Sequence, residues 1–159
     1  MKRYRLWFLG QAAVVILGTT AAWADRIPEY ANDLGPATID VSKYPADKQQ
    51  GYELMQAKCM RCHTVARVVN SEFITDKEWG RYIKRMAQRP PCCNQCPVIT
   101  HKDAKAIWEF LVYDSRIRKT GSNAANWKQL HQALLQEFKS KYPKQYEQRY
   151  ENIKGDNIQ

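Results

Sequence analysis

The sequence predicts an all-α fold, and two kinds of observation support this. Apolar residues recur at three- and four-residue spacing in several segments, as they do on one face of a helix. Thr75 and Glu78 have the spacing of a capping box, and Thr100 with Asp103 opens a further helix in the same way. We therefore expect several helices, with prolines and a glycine marking the breaks between them.

The N-terminus has the order of a secretory signal. "MKRYR" carries three basic residues and no acid, an apolar run follows, and Ala22 and Ala24 are small residues before the first acidic one. We predict removal of residues 1–24 and export to the periplasm or an equivalent compartment. The apolar run is shorter than the ~20 residues that span a bilayer, so an uncleaved anchor is the weaker alternative. No later segment is predicted to cross a membrane.

The predicted mature chain stays basic. The whole chain carries a net charge of +9, and loss of the three basic leader residues leaves 22 basic against 16 acidic residues. Such a surplus favours an acidic protein, nucleic acid or an anionic membrane as partner, and export makes nucleic acid the least expected of these. Disulfides persist in exported proteins, but the five cysteines cannot all pair within one chain.

The first half of the mature chain predicts an arm and two helices. Residues 25–46 contain three prolines and little periodicity, so we expect an extended N-terminal arm over the surface. Asp47 is expected to cap the first helix, which runs to Cys59. A second helix follows the Thr75 capping box and stops at Arg89, ahead of two prolines.

The second half predicts two further helices and a last turn. "HKDAKAIWEFLVYDSRIRK" has an apolar stripe and ends before Gly121. Residues 120–159 then place aromatic and aliphatic residues on one helical face, and Pro143 begins a last turn. Because this tail is too polar to form a domain alone, we expect residues 47–119 to form the main domain and residues 120–159 a C-terminal helical extension.

The segment "CMRCH", residues 59–63, is typical of haem c attachment. Cys59 and Cys62 are spaced to form thioethers with the two vinyl groups, and His63 follows directly to coordinate the iron as proximal ligand. A redox dithiol or a zinc site can also use Cys-x-x-Cys. The export signal and the preceding helix favour one covalent haem c.

The segments around this motif resemble a known family. "GYELMQAKCMRCH" and "HKDAKAIWEFLVYDSRIRK" are similar to the first and closing helices of small class I-like monohaem c-type cytochromes, over about half of the mature chain. The resemblance implies a cytochrome c-like helical domain around the haem. It also implies that the two helices cross with Gly51 and Tyr52 against Trp108 or Leu111.

The middle helix adds to the resemblance. "EWGRYIKRM" is similar to the middle helix of a subgroup of these cytochromes. The resemblance implies Met86 as the second, distal axial ligand of the iron. Trp79 and Tyr82 are candidates to lie against the haem, although aromatic residues at this spacing are also common in cores.

A cysteine-rich loop departs from the family pattern. "RPPCCNQCPVIT" stands where the family has a short glycine-containing loop. If two of Cys92, Cys93 and Cys96 pair, the third is left as a thiolate that can displace a thioether at iron. We favour Cys93 or Cys92 as the distal ligand, with Cys96 or Met86 as alternatives. A few c-type cytochromes with His/Cys ligation occur in anaerobic ammonium-oxidising bacteria, and this chain resembles them.

Other metal sites are weaker possibilities. His101 stands at a predicted helix start, where a histidine is more often solvated, and His131 lies on the tail helix. The two Cys-x-x-Cys pairs, Cys59 with Cys62 and Cys93 with Cys96, also have the form of a structural zinc site. The export signal and His63 argue against zinc.

Electron transfer is the predicted function. A six-coordinate haem leaves no position for a substrate, and no separate acid and base are evident, so we do not expect an enzyme. Thiolate ligation predicts a low reduction potential. The alternative is a haem protein that binds or senses NO or CO. We expect a redox partner protein, and the apolar tail predicts a homo- or hetero-dimer with a related cytochrome, unless the tail folds back on its own domain.

Overall fold

The structure is a computed structural model that describes residues 27–60, 62–89 and 97–151. These residues form helices and turns without a strand, which confirms the predicted all-α class. The helices are α1 (Ala46–Cys59), α2 (Val65–Val69), α3 (Asp76–Gln88), α4 (His101–Lys119), α5 (Ala124–Lys141) and α6 (Pro143–Tyr146). A 3-10 turn (Ala31–Leu34) precedes α1, another (Gly121–Asn123) precedes α5, and a π-helical turn (Glu147–Glu151) follows α6. The predicted leader and Cys92, Cys93 and Cys96 lie outside the described residues.

The helix starts agree with the sequence at α3 and α4 but not at α1. Both predicted Thr caps are present, and each accepts a hydrogen bond from the backbone N–H three residues later. At α1 the cap is Pro45, and Asp47 lies inside the first turn, where its carboxylate is 2.7 Å from Lys48 Nζ. The prediction that Asp47 caps α1 was therefore wrong, because the fixed φ of Pro45 already directs the chain into the helix. An acidic residue remains favourable in the first turn of a helix.

The main core forms where α1 crosses α4 and α3 packs beside them. The helices approach closely at Gly51, where an added Cβ would lie 2.7 Å from Phe110 Cβ and 2.9 Å from the Ala106 carbonyl oxygen. The Tyr52 ring lies 5.4 Å from the Phe110 ring. The crossing was predicted, but Phe110 takes the place expected for Trp108 or Leu111.

Trp108 and Leu111 have other roles in this core. The indole N–H of Trp108 donates to the carbonyl of Asp76, at the start of α3, over 3.2 Å. Leu111 is fully buried in the main core. Since Phe110 is also fully buried, α4 presents two neighbouring large residues to the interior, and the spacing alone did not determine which of them meets α1.

A second, smaller core joins the two ends of the described chain. Ala31 is buried against Leu134 and Phe138 of α5. The Ala31 backbone N–H also donates to the hydroxyl of Tyr150 over 3.0 Å. The arm predicted to be extended therefore contains a 3-10 turn that is part of a core, and α5 folds back on its own chain. The dimer stays a prediction. Of the apolar face of α5 that suggested it, Leu134 and Phe138 are buried against residues of the same chain.

Lys119 joins the main core to α5, at the junction of α4 and α5. Its side chain is buried, and Nζ donates to the carbonyls of Ser71 and Phe73 over 2.8 and 3.0 Å. Nζ also lies 5.2 Å from the ring centroid of Trp79, in the main core, and 4.8 Å from that of Trp127, on α5. The extension is thus held to the rest of the chain by a cation between two indole rings.

Candidate functional site

The CMRCH segment begins at the last residue of α1. The helix ends at Cys59, and a turn follows in which the Cys62 backbone N–H donates to the Cys59 carbonyl over 3.3 Å. Cys59 is half-buried at the edge of the main core, and this burial raises the pKa of its thiol to about 11. The thiol is therefore protonated at neutral pH. It is an inert group unless another reactant or ligand is brought to it.

The two motif cysteines differ in state. Cys59 is a free thiol, whereas Cys62 is disulfide-bonded. A disulfide sulfur cannot at the same time be a thioether. Attachment of haem at both cysteines would therefore require this disulfide to be reduced first.

His63 is half-buried and has one ring nitrogen in a hydrogen bond. Nδ1 lies 3.2 Å from the carbonyl oxygen of Thr64. A carbonyl can only accept, so Nδ1 is the donor and the lone pair of the neutral ring is on Nε2. Burial lowers the pKa of His63, which favours this neutral ring. A hydrogen bond at one nitrogen that orients the other is the usual arrangement for a metal-ligating histidine.

The N-terminal arm anchors the backbone that follows His63. Asp33 accepts hydrogen bonds from Arg67 Nε at 2.8 Å and Nη2 at 2.7 Å, and from the hydroxyl of Thr64 at 3.1 Å. Thr64 also caps α2 by accepting from the Arg67 backbone N–H. Asn32 donates to the Arg67 carbonyl over 2.7 Å. The position of the histidine loop is thus set by residues thirty positions upstream.

This anchor was not predicted from the sequence. The arm was expected only to lie over the surface, and α2 was not predicted. A signal was present, because Thr64 stands directly before the apolar run "VARVV", which is a helix-start pattern. The pairing of Asp33 with Arg67 had no such local signal, since the two residues are distant in sequence.

Aromatic side chains line the core next to Cys59. Phe73, Trp79 and Tyr82 lie with ring centroids 5.3 to 5.7 Å apart and meet edge-on or tilted. Trp79 is fully buried, and its N–H donates to the hydroxyl of Ser115 over 2.9 Å. Burial raises the pKa of Tyr82 to about 12. The two residues predicted to face a haem thus belong to one aromatic cluster in the main core, which also includes Met55 and Cys59 of α1.

The candidates for the second, distal ligand differ in exposure and in the partners they already have. Met86 is half-buried on α3, and His101 is exposed at the start of α4. His131 Nε2 is 2.9 Å from a carboxylate oxygen of Glu72, so this nitrogen is already engaged. The favoured residues Cys92 and Cys93, and the alternative Cys96, lie outside the described residues.

The chain just beyond the cysteine-rich loop is held next to the motif. Lys58, which directly precedes Cys59, donates through Nζ to the carbonyl of Val98 over 2.8 Å. The same Nζ lies 3.0 Å from a carboxylate oxygen of Asp103. Cys96 is two residues before Val98 in the sequence. A thiol of this loop therefore needs only a short span of chain to reach the end of α1.

The described residues fit a covalent haem in part. His63 offers a neutral ring with Nε2 as donor atom, and Cys59 offers a thiol in an apolar setting. Cys62 fits only after reduction of its disulfide. Among the described residues there is no group of three or more His, Cys, Asp or Glu side chains that could hold a metal ion. The zinc alternative would need Cys93 and Cys96 and stays untested.

Comparison with protein-family models, with curated proteins and with solved structures gave no match to this chain. In the part of the chain that the structure describes, no helix is long and apolar enough to cross a membrane.

Proposed function

We propose that the chain is an exported c-type cytochrome that carries one covalent haem c and transfers electrons. The observation that carries the proposal is the Cys59-x-x-Cys62-His63 segment, in which His63 Nδ1 is engaged by the Thr64 carbonyl. Covalent haem requires two cysteine sulfurs and one ring nitrogen in this order, and the sulfur of Cys62 meets this requirement once its disulfide is reduced. Haem supplies a one-electron Fe(III)/Fe(II) couple, which none of the side chains here provides.

The chain's own residues would orient and shield this group. The Thr64 carbonyl fixes the tautomer of His63, and the contacts of Asp33 with Thr64 and Arg67 fix the backbone that carries it. Phe73 and Tyr82 supply an apolar wall that limits access of water to the site. A low-polarity surrounding and a fixed imidazole both influence the potential of a haem.

We propose the thiolate of Cys93 or Cys92 as the distal ligand, with Cys96 or Met86 as alternatives. The contact of Lys58 with Val98 supports this, since it holds the chain after the loop near Cys59. A thiolate is anionic and stabilises ferric over ferrous iron, so the reduction potential would be low. The partner would be a redox protein in the periplasm or an equivalent compartment.

The disulfide at Cys62 adds a requirement to the proposal. Reduction of the bond takes two electrons and two protons and yields two thiols, one of them on Cys62. We therefore expect haem attachment only when a dithiol reductant is present. A chain in which this disulfide was never reduced would carry no covalent haem at Cys62.

The first experiment is to test for covalent haem after expression with an export system that attaches it. We expect a haem stain that survives denaturing electrophoresis and a mass increase equal to one haem. The variant His63→Ala should disturb the ligation, while Cys59→Ala combined with Cys62→Ala should abolish attachment. Stoichiometric zinc without haem would overturn the proposal.

Electron paramagnetic resonance of the oxidised protein would then identify the distal ligand. A low-spin thiolate signal that is lost in Cys93→Ser or Cys92→Ser would support the preferred assignment. Met86→Ala is the matched comparison, since loss of the low-spin signal only in this variant would make the protein a His/Met carrier. Addition of CO to the reduced protein tests the gas-binding alternative, and an unchanged Soret band would count against it.

A further inference from the structure

A cavity of about 600 Å³ lies between α3 and the first half of α4. Its described lining includes neither Cys59 nor His63 of the candidate haem site. The apolar part of its wall consists of Ile83, Ala87, Ile99, Ala104 and Trp108. Small-molecule sites usually have this size and this predominance of apolar lining, with a few polar groups to orient the ligand.

The charged groups of the cavity have one sign. Lys84 of α3 and Lys105 of α4 both line it, and no described carboxylate does. Lys84 forms no ion pair with another described residue. Lys105 approaches Glu109 only at 3.9 Å, and both side chains are exposed. The two ammonium groups therefore give the cavity a positive charge that is little compensated nearby.

We propose that this cavity binds a small amphipathic carboxylate, with the apolar body against Ile83 and Trp108 and the carboxylate between Lys84 and Lys105. Transfer of the apolar body of the ligand from water to these apolar walls is favourable. The cationic pair selects a carboxylate over a neutral head group, since a hydrogen bond between two charged groups is about twice as strong as a neutral one. The proposal does not depend on haem.

The test is calorimetric titration of the full mature chain with octanoate, and with 1-octanol as its uncharged counterpart. We expect saturable binding of one octanoate with Kd in the millimolar range or tighter, as for a ligand of this size. Binding of 1-octanol should be at least roughly tenfold weaker, because the charge-assisted contact is lost. Equal binding of the two ligands, or no saturable binding of octanoate, would overturn the proposal.

Variants then locate the site. Lys84→Met should weaken octanoate binding by roughly tenfold, and Ala87→Trp should abolish it by filling the cavity. Lys77→Met, also exposed on α3 but outside the lining, is the matched control and should bind as the wild type does. Circular dichroism checks that each variant is folded. Unchanged affinity in a folded Ala87→Trp would place binding elsewhere and refute the assignment.

Discussion

Replacement of Lys119 by methionine should change how the stability of the protein depends on pH. The ammonium group is buried between two indole rings, and none of the described carboxylates contacts it. Burial, together with the nearby charge of Arg118, lowers the pKa of Lys119 from 10.5 to about 7, although Asp114 and Glu78 act in the opposite direction. The folded chain therefore binds fewer protons than the unfolded chain between about pH 7 and 10.5.

This difference in bound protons determines how the free energy of unfolding changes with pH. Because the unfolded state holds the extra proton, the free energy of unfolding of the wild type should rise as the pH increases from about 7 toward 10.5. A change from 10.5 to about 7 corresponds to about 5 kcal/mol at most. Contacts of the cation with two rings and two carbonyls each favour the charged form by about 0.5 to 1 kcal/mol. Together they reduce the effect by about 2 to 4 kcal/mol, so we expect a rise of about 1 to 3 kcal/mol.

Urea unfolding of the wild type and Lys119→Met from pH 6 to 10 measures this effect. Lys119→Met also loses the hydrogen bond to the Ser71 carbonyl, which lowers its free energy of unfolding equally at every pH. The diagnostic quantity is therefore how the difference in free energy of unfolding between wild type and variant changes with pH. Lys128→Met, at an exposed position on α5, controls for the loss of one charge. A constant difference between wild type and Lys119→Met over this range would show that Lys119 has an ordinary pKa and would refute the reasoning.

Two further predictions concern packing and the histidine anchor. Gly51→Ala should destabilise the protein by about 1 to 3 kcal/mol in denaturant unfolding, because its Cβ would meet Phe110 at 2.7 Å. Gly80→Ala is the matched helical control, since its nearest neighbour is at 3.8 Å, and it should be neutral or stabilising by up to about 1 kcal/mol. Asp33→Asn should cost about 2 to 3 kcal/mol at pH 7, because the hydrogen-bonded carboxylate beside Arg67 is lost. Since Arg67 lowers the pKa of Asp33 below 3.8, this cost should shrink only as the pH falls below about 4, and a cost that stays constant down to pH 2 would contradict the ion-pair account.

The helices were predictable because their signals are local. The Thr75 and Thr100 caps each act within one turn of helix, and the sequence contains both partners of each cap. The crossing of α1 with α4 at Gly51 was expected only from the family resemblance. The residue that Gly51 meets was not predictable, because Phe110 and Leu111 are adjacent and both buried. Which of the two faces α1 depends on the rotation of α4 about its axis.

The candidate site was predictable only as far as the motif itself. Cys59, Cys62 and His63 are contiguous in sequence, whereas the Asp33 to Arg67 anchor joins residues with an intervening helix and loop. The position of Lys119 between Trp79 and Trp127 was also missed. A lysine at a helix end is expected at the surface, and only the return of α5 over the main core buries this one.

The hydrogen bond from Ala31 to Tyr150 joins residues that are 119 positions apart. Contacts of such separation require closure of almost the whole described chain, so they contribute to stability late and slow the search for the folded state. The turn that contains Ala31 would complete its core only after synthesis has passed Tyr150. Truncation before Tyr150, or removal of the turn that contains Ala31, would take away one partner of this hydrogen bond and weaken the core around the other.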